Sequence, residues 1–490
     1  MRSRTGSVTG GLQRRTRSVA VSAVRAHNEF QEGCTLKLST VLIISYHFYP
    51  SNEIGARRVT ALARHLSAHG IRVVVVSAFG DQAVESGAEI LPGVVAIPVA
   101  RPSRALLNAL VAMKRRRLRA LRASAADIPA NAERASERAS MTAWARDWYF
   151  RFLYFVDEYK RWSWRASRAA VRAGRGYGAS VVLASGPPHS TLIAASRAAR
   201  DLRLPYVADL RDPWSDYLAW VSTSRKFELG LMRRLERRVL RTAAAVTSTA
   251  ETVSALLLSR DKDLQGRLRV IRNGYDGTPA LGSTATHGRL SILFAGELYV
   301  GRDPFPFLFA LERVLARPEV DSSRVSVTFM GKVDSYAGQS LPSWIHGKLC
   351  ASVVKLLPPQ PSAVVAEAAA ASTLLLNLAQ GQHLSVPAKT YEHLASGREI
   401  LLICENDCET ARLVRGLRGV NQVDPANLDA LVATLLSIYE RHVIRGEMMV
   451  PDEVEVMRFS RQAANEAFLE VLESVTRPGS ASARLNVHQQ

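Results

Sequence analysis

The stretch 384-LSVPAKTYEHLASG-397 decides how the rest of the chain is interpreted. An apolar run at 372–378 precedes it and another follows at 400–404, and both are typical of buried parallel strands. Pro387 near the start and Gly397 near the end are typical of a short helix between them. The stretch is therefore predicted to be the loop and helix of a β–α–β unit.

This loop and helix are also the first candidate binding site. Open α/β sheets bind ligands at the carboxyl ends of their strands, and free N–H groups at a helix N-terminus favour a phosphate. Lys389 adds a positive charge in the first turn, and Glu392, one turn later, can accept hydrogen bonds from a ribose diol. An ordinary strand–loop–helix with a solvated Lys/Glu pair is the alternative, and the stretch alone leaves both open.

Length and composition set the class of protein. A chain of 490 residues with 47% hydrophobic residues predicts two or three domains with sizeable cores. It contains no run of 18 uncharged apolar residues, so no transmembrane helix is predicted. Residues 1–38 are expected to be a disordered basic tail rather than a secretory signal, and residues 476–490 a disordered polar tail.

The net charge of +20 predicts an anionic partner, which could be nucleic acid, an acidic membrane surface or an anionic substrate. The four cysteines form no paired C-x-x-C motif, which fits a reducing cytoplasm and predicts no zinc site. Asp261 and Asp263 have D-x-D spacing, but no predicted strand leads into them, so they predict no metal site.

A first α/β run is predicted over residues 39–276. The loop after its first strand lacks G-x-G-x-x-G, which argues against a dinucleotide site, although Gly55 could let a ligand approach the backbone or could simply form a tight turn. Later strands end at polar residues that are candidates for a ligand site. They are His189, Asp209, Arg211 and Asp212, and a lone Asp or Arg at such a place is more often structural.

An insertion at about 101–172 interrupts this domain. Residues 101–122 predict a basic amphipathic helix, and residues 144–164 are rich in aromatic side chains beside Arg and Lys. Such a pattern fits a membrane interface, a helix packed on the core, or a nucleic-acid contact, and a solvated face is the simplest reading. A second α/β run over 285–445 contains the opening stretch, and a C-terminal helix is predicted at 451–475.

Six motifs in order resemble one family of enzymes. They are YHFYP-x4-G at 46–55, SGPP at 185–188, ADLRDPW at 208–214, VIRNGYD at 270–276, FAGELYVGR at 294–302 and VPAKTYEHLASG at 386–397. The chain resembles the GT-B glycosyltransferases, specifically the retaining, metal-independent family four and its branch that builds bacterial surface polysaccharides. The resemblance implies an α/β fold of GT-B type, with two Rossmann-like domains that face a central cleft.

The resemblance also implies roles for individual residues. Arg302 and Lys389 would contact the donor diphosphate, and Glu392 would hold the ribose. The family's other glutamate would fall at position 384, where this chain has Leu384. Arg211 and Asp212 lie where the family places a residue facing the donor sugar. The full predicted sets are a catalytic set of Asp212, Arg211, Arg302 and Lys389, a donor set of Gly296, Arg302, Ser385, Pro387, Lys389 and Glu392, and an acceptor set of Gly55, Arg57, His189 and Asp209.

The leading hypothesis is a hexosyltransferase-type glycosyltransferase that uses a nucleotide-diphosphate sugar as co-substrate. It would act with retention, without a metal or other cofactor, on a saccharide or lipid-linked acceptor in envelope or exopolysaccharide synthesis. The protein is expected in the cytoplasm, peripheral on the inner face of the cell membrane. A nucleotide-sugar epimerase of the same fold and a basic non-catalytic binding protein are the alternatives, and no RNA-binding signature favours nucleic acid.

Overall fold

The computed structural model describes residues 38–51, 53–79, 84–101, 155–216, 226–280 and 288–477. Of the two predicted tails, only residues 38, 476 and 477 are described, and Thr476 is the last residue of a helix rather than part of a tail. Residues 102–122 of the predicted basic helix and residues 144–154 of the aromatic segment lie outside the described residues.

The first domain is built on an eight-stranded sheet in the order β3-β4-β2-β1-β5-β6-β7-β8. All neighbouring strands are parallel except β3 and β4. Its strands are β1 (Thr40–Ile44), β2 (Arg72–Ser77), β3 (Glu89–Leu91), β4 (Val94–Pro98), β5 (Val181–Gly186), β6 (Tyr206–Leu210), β7 (Ala245–Ser248) and β8 (Leu268–Val270). Helices cover both faces, so the central strands are apolar on both sides, as continuous Val and Ile runs predict.

Four helices pack on one face of this sheet. They are α2 (Lys160–Gly176), α3 (Ser190–Leu202), α4 (Lys226–Arg241) and α5 (Glu251–Arg260). Trp162 of α2 is fully buried, and its indole N–H donates to the Val99 carbonyl at 3.0 Å. Of the alternatives for the aromatic segment, a helix packed on the core is correct for Trp162, whereas Trp164 on the same helix is half exposed. The opposite face is covered by α1 (Ile54–Ala68) and by a helix from the end of the chain.

The second domain has a six-stranded parallel sheet in the order β13-β10-β9-β14-β15-β16. Its strands are β9 (Leu290–Glu297), β10 (Val325–Lys332), β13 (Val354–Leu357), β14 (Leu374–Leu378), β15 (Glu399–Ile403) and β16 (Val420–Val423), with a separate hairpin of β11 (Ser335–Tyr336) and β12 (Gln339–Ser340). Its helices are α6 (Phe305–Leu315), α7 (Leu341–Ile345), α8 (Ser362–Ala371), α9 (Ala388–Ala395), α10 (Glu409–Val414) and α11 (Leu428–Tyr439).

Three bounds in the second domain follow from local pairing and backbone geometry. Strand β9 continues to Glu297, because it pairs with β10 along its whole length, and Gly296 therefore lies in the strand. Pro387 is the residue before α9 rather than part of its first turn, while Gly397 follows the helix with φ +65° as its predicted stop requires. Helix α11 ends at Tyr439 and continues as a π-helical turn over Glu440–Arg445.

Both sheets reverse their strand order at one point. In the first sheet the reversal falls between β1 and β5, and in the second it falls between β9 and β14. Ligands of open α/β sheets bind outside the carboxyl ends of strands at such switch points. His189 and Arg302 lie in the loops after β5 and β9, while Gly55 and Lys389 lie in the first turns of the helices that follow β1 and β14.

The end of the chain returns to the first domain. After α12 (Glu453–Met457), helix α13 (Arg461–Thr476) packs Phe468 and Leu472 into the apolar cluster that contains Val41 and Ile43. No helix among the described residues is long and apolar enough to cross a membrane.

Candidate active site

In the second domain, Lys389 and Arg302 converge beside Gly296. The Lys389 ammonium group donates to the Ala295 carbonyl of β9, although Lys389 itself lies in the first turn of α9. A Cβ atom added at Gly296 would lie 2.5 Å from the Lys389 Nζ and 3.5 Å from an Arg302 terminal nitrogen. The absence of a side chain at Gly296 therefore lets two cations reach the carboxyl end of β9.

Side-chain hydrogen bonds hold the loops that present these cations. Gln380, after β14, donates to the Asp303 carbonyl at 2.8 Å and accepts from the Asp303 amide at 3.2 Å, which joins the Arg302 loop to the loop before α9. Asn377 of β14 donates to Thr390 of α9 at 2.9 Å, and both residues are buried. The orientation of α9 over the sheet is thus fixed at its first turn.

The two cations are close enough to influence each other's protonation. Burial and, to a lesser extent, neighbouring Arg302 lower the pKa of Lys389 to about 8, while Glu392 acts in the opposite direction. The Arg302 guanidinium lies 4.5 Å from the centre of the Tyr299 ring. The site therefore holds two positive groups, and the side chain of Glu392, which opposes the shift at Lys389, is exposed.

His393 lines a small cavity together with Lys389 and Arg302, although the sequence analysis did not include it. Its position one turn after Lys389 on α9 is the only signal that could have found it. Burial lowers its pKa to about 3, helped by Lys389 and Arg302, so the imidazole is neutral at physiological pH. Its Nδ1 is buried with no hydrogen-bond partner. The ring thus offers a polar atom to a ligand beside the cations.

The remaining donor residues surround this group. Ser385 is half-buried, Pro387 is buried, and Glu392 is exposed on α9. Leu384, which replaces the family's other glutamate, packs against the apolar core of the first domain. Contact with that core explains why an apolar residue fits there, and it removes a carboxylate as a sugar-hydroxyl acceptor at this position.

On the first-domain side, Arg211 lies against Gly55. The Arg211 guanidinium donates to the Pro187 carbonyl, and a Cβ atom added at Gly55 would lie 2.5 Å from one of its nitrogens. Burial raises the pKa of the neighbouring Asp212, and Arg211 opposes that shift. Three predicted residues are therefore brought together at the carboxyl ends of β5 and β6 and the start of α1.

His189 completes this side as a packed, neutral ring. It stacks on Trp214 with centroids 5.4 Å apart and planes 4° apart, and its Nε2 lies 3.3 Å from the Asp212 carbonyl oxygen. Burial lowers its pKa to about 4. His189 therefore supports the Asp212 backbone as a neutral group.

Asp209 and Arg57, both predicted on the acceptor side, have very different surroundings. Asp209 is 1% exposed and accepts hydrogen bonds from Arg58 at 3.1 Å and from Ser185 and Thr247 at 2.7 Å. These bonds occupy its carboxylate, so its role is structural. Arg57 is exposed, whereas the buried Arg58 is the residue that reaches the strand ends.

The D-x-D pair does not form a metal site. Asp261 caps a short helical turn and binds Arg241 at 2.8 Å. Within the ranges that the structure describes, no group of three or more His, Cys, Asp or Glu side chains could hold a metal ion. Cys350, Cys404 and Cys408 are buried free thiols.

Comparison with known proteins agrees with this architecture. Residues 131–278 match the family model described as Glycosyltransferase Family 4. Sucrose-phosphate synthase from Thermosynechococcus elongatus is 13% identical with a TM-score of 0.53, covering 89% of this chain and 99% of that chain. Anabaena HepE in complex with UDP is 13% identical with a TM-score of 0.51, covering 89% and 100%. Trehalose 6-phosphate synthase from Burkholderia multivorans is 12% identical with a TM-score of 0.53, covering 93% and 99%.

At these identities the solved structures establish the fold, and the family model bears on the activity. Among curated proteins, none matches the chain by sequence. The matched family domain and the two Rossmann-like domains together define a glycosyltransferase of the GT-B class, so the predicted fold and enzyme class are confirmed.

Proposed function

We propose that the protein transfers a sugar, with retention, from a nucleotide-diphosphate donor to a saccharide or lipid-linked acceptor of the bacterial envelope. The convergence of Arg302 and Lys389 beside Gly296 carries this proposal. It is the kind of cationic, partly buried site that a diphosphate fits, and it lies at a switch point of the sheet. The solved structure of Anabaena HepE, which has the same fold, contains UDP.

The two cations would act most strongly as the donor bond breaks. Negative charge then develops on the departing diphosphate, and fixed positive groups in a partly buried site stabilise it. His393 would contribute a hydrogen bond through its unpartnered Nδ1. Because the protein itself supplies the positive charge, the proposed reaction needs no divalent metal.

Retention is proposed to follow from attack on the same face that the leaving group departs from. The acceptor oxygen forms a bond to the anomeric carbon while the bond from that carbon to the diphosphate oxygen breaks. The acceptor proton passes to the departing diphosphate, so no protein carboxylate is needed as a nucleophile. In the other domain, Arg211, which lies against Gly55, and the neighbouring Asp212 would face the sugar and the acceptor.

Calorimetry with UDP, one of the candidate nucleoside diphosphates, tests the donor site. Lys389→Met and Arg302→Gln should each weaken binding by about 1–3 kcal/mol, because each removes a hydrogen bond between charged groups. Lys355→Met and Arg317→Gln are matched controls, since both residues are exposed in the same domain and make no side-chain ion pair there. Equal affinity in all four folded variants, measured with each common nucleoside diphosphate, would place the donor site elsewhere.

The identity of the reaction product distinguishes a glycosyltransferase from an epimerase and from a non-catalytic binding protein. A panel of nucleotide sugars, incubated with the protein in excess chelator, should give slow release of one nucleoside diphosphate with the sugar's configuration kept. A sugar inverted at a carbon other than the anomeric one would favour the epimerase. Binding of no nucleotide at all would favour the non-catalytic basic protein.

A further inference from the structure

The outward side of α2 carries arginines around an exposed tryptophan, and these arginines form no ion pair with another described residue. Its inward side, with Trp162 and a row of small residues, is buried against the sheet. Trp164 is 50% exposed, and the Arg168 guanidinium lies 3.8 Å from the centre of its ring. The exposed arginines of this helix are Arg161, Arg165, Arg168, Arg172 and Arg175.

The neighbouring helices extend this surface. Helix α2 packs against α3, and α3 contacts α4, where Ser196 and Thr242 share a hydrogen bond of 2.9 Å. On α4, Phe227 is 74% exposed and Leu231 is 45% exposed. Three further exposed arginines on these two helices form no ion pair with another described residue, and they are Arg197, Arg234 and Arg238. We call these eight arginines of α2, α3 and α4, with Trp164, Phe227 and Leu231, the arginine surface.

The positive charge of the arginine surface is not neutralised by carboxylates of the described residues. Other arginines of the same domain bind carboxylates, as Arg241 does with Asp261 and Arg260 with Asp216. In the part of the chain that the structure describes, the arginines of the arginine surface form no ion pair. On the opposite side of the sheet, α13 exposes Glu466, Glu470 and Glu473 to solvent, beside Arg57 and Arg64 of α1.

We propose that the arginine surface docks the protein on an anionic lipid bilayer. Arginines attract acidic head groups, and exposed Trp, Phe and Leu side chains among them can enter the interfacial region. This combination favours a bilayer over a nucleic-acid duplex, because the phosphates of a duplex would meet the arginines while its stacked bases offer no interior for exposed Trp, Phe and Leu side chains to enter. The acidic α13 would face away from the bilayer and set the orientation.

Docking through this surface deepens the proposed function. The link between docking and a lipid-linked acceptor rests on that function. The start of α2 lies at the acceptor side, since the Tyr159 ring is 4.1 Å from the Tyr46 ring in the loop after β1. Asp157, just before α2, accepts a hydrogen bond of 2.8 Å from the Ser190 amide, next to His189. A protein docked through α2 would therefore hold its acceptor loops near the bilayer, where the head group of a lipid-linked saccharide lies.

Co-sedimentation with vesicles tests the proposal. The full chain should sediment with vesicles of phosphatidylcholine and phosphatidylglycerol, but not with phosphatidylcholine alone, and high salt should release it. Each arginine near an anionic surface contributes about a fivefold gain in partitioning, so R165Q/R168Q/R172Q should lose on the order of 100-fold at low salt. Trp164→Ala removes an apolar contact but no charge, so it should weaken vesicle binding at low salt without changing the dependence of binding on salt.

The control R317Q/K355Q/R418Q removes the same charge from exposed positions of the second domain and should lose far less. The docking proposal would be overturned if both triple variants lost vesicle binding equally. It would also be overturned if the wild-type protein stayed in the supernatant with both vesicle types. Tighter binding of the wild type to a DNA or RNA duplex than to anionic vesicles at equal salt would replace the bilayer by nucleic acid. UDP calorimetry on the same samples separates the two proposals, because donor binding survives a failure of docking.

Discussion

At the scale of single residues, Lys389 has the most specific chemistry in the molecule. Its ammonium group is partly buried and lies next to the cationic Arg302, and both facts lower its pKa, to about 8. A bound diphosphate would bring negative charge to this group and favour its protonated form. The strength of binding should therefore report the charge on Lys389.

We expect diphosphate affinity to fall as the pH rises from about 7 to about 9. Lys389 loses its proton across this window because its pKa is lowered to about 8 rather than standing at the usual 10.5. Arg302 stays charged throughout, so binding weakens without vanishing. Calorimetry with UDP at several pH values measures the profile.

Lys389→Met should bind the diphosphate weakly, and its affinity should not change between pH 7 and pH 9. If the affinity of the wild type also stayed constant over this range, Lys389 would not contact the diphosphate.

At the scale of elements, Glu409 joins the two domains. It lies at the start of α10 in the second domain, yet its carboxylate accepts from the amides of Glu251 and Thr252 at the start of α5 in the first. It also binds the Arg272 guanidinium at 2.6 Å and is fully buried. A side chain of one domain therefore caps a helix of the other.

Glu409→Gln should lower the free energy of unfolding by about 3 kcal/mol, because it leaves Arg272 without its buried partner. Although burial alone would raise the pKa of Glu409, the hydrogen bonds from Arg272 and the two amides hold it below its usual value. The contribution is thus present at neutral pH and is lost as the pH falls through the folded-state pKa. Urea denaturation at neutral and acidic pH measures both effects.

Glu251→Gln is the matched control, since Glu251 binds the same Arg272 at 2.8 Å but its side chain is 64% exposed. That surface pair contributes about 1 kcal/mol or less. If both variants lost the same stability, the cross-domain cap would not be the stabilising contact.

At the scale of the whole molecule, the chain passes between the domains twice, and the two passages touch. Tyr275 pairs with Ser460 as an isolated bridge, and Arg461 binds Asp276 at 2.6 Å. Gly274 permits this approach, because a Cβ atom there would lie 2.6 Å from the Phe459 carbonyl oxygen and 2.7 Å from the Arg461 amide. Both contacts are with backbone, which cannot move aside as a side chain can.

Gly274→Ala should therefore destabilise the protein by about 1–3 kcal/mol, the usual cost of forcing an extra group into a packed site. A thermal melt followed by circular dichroism measures the shift. Gly230→Ala is the control, since nothing lies near a Cβ atom there and alanine favours the helix. Equal melting temperatures for the two variants would show that the crossing tolerates a side chain.

The sequence by itself determined the features that depend on neighbours along the chain. Apolar runs between helix starts and stops predicted the strands of both sheets, because burial and capping act over a few residues. The same logic placed Lys389 in the first turn of a helix at a strand end, beside Pro387. The carboxyl ends of parallel strands share one edge, which made the polar residues that follow those strands candidates for a ligand site. Arg302 became a candidate only through the resemblance to the glycosyltransferase family.

Only the tertiary structure decided which side chains are free for chemistry. Asp209 looked available at a strand end, but Arg58, 151 positions away in sequence, occupies it. Leu384 replaces an expected glutamate because it packs against the other domain. His393 lines the cation cavity because α9 turns that face toward β9. Burial and pairing between distant residues set these roles, and no local pattern in the sequence encodes them.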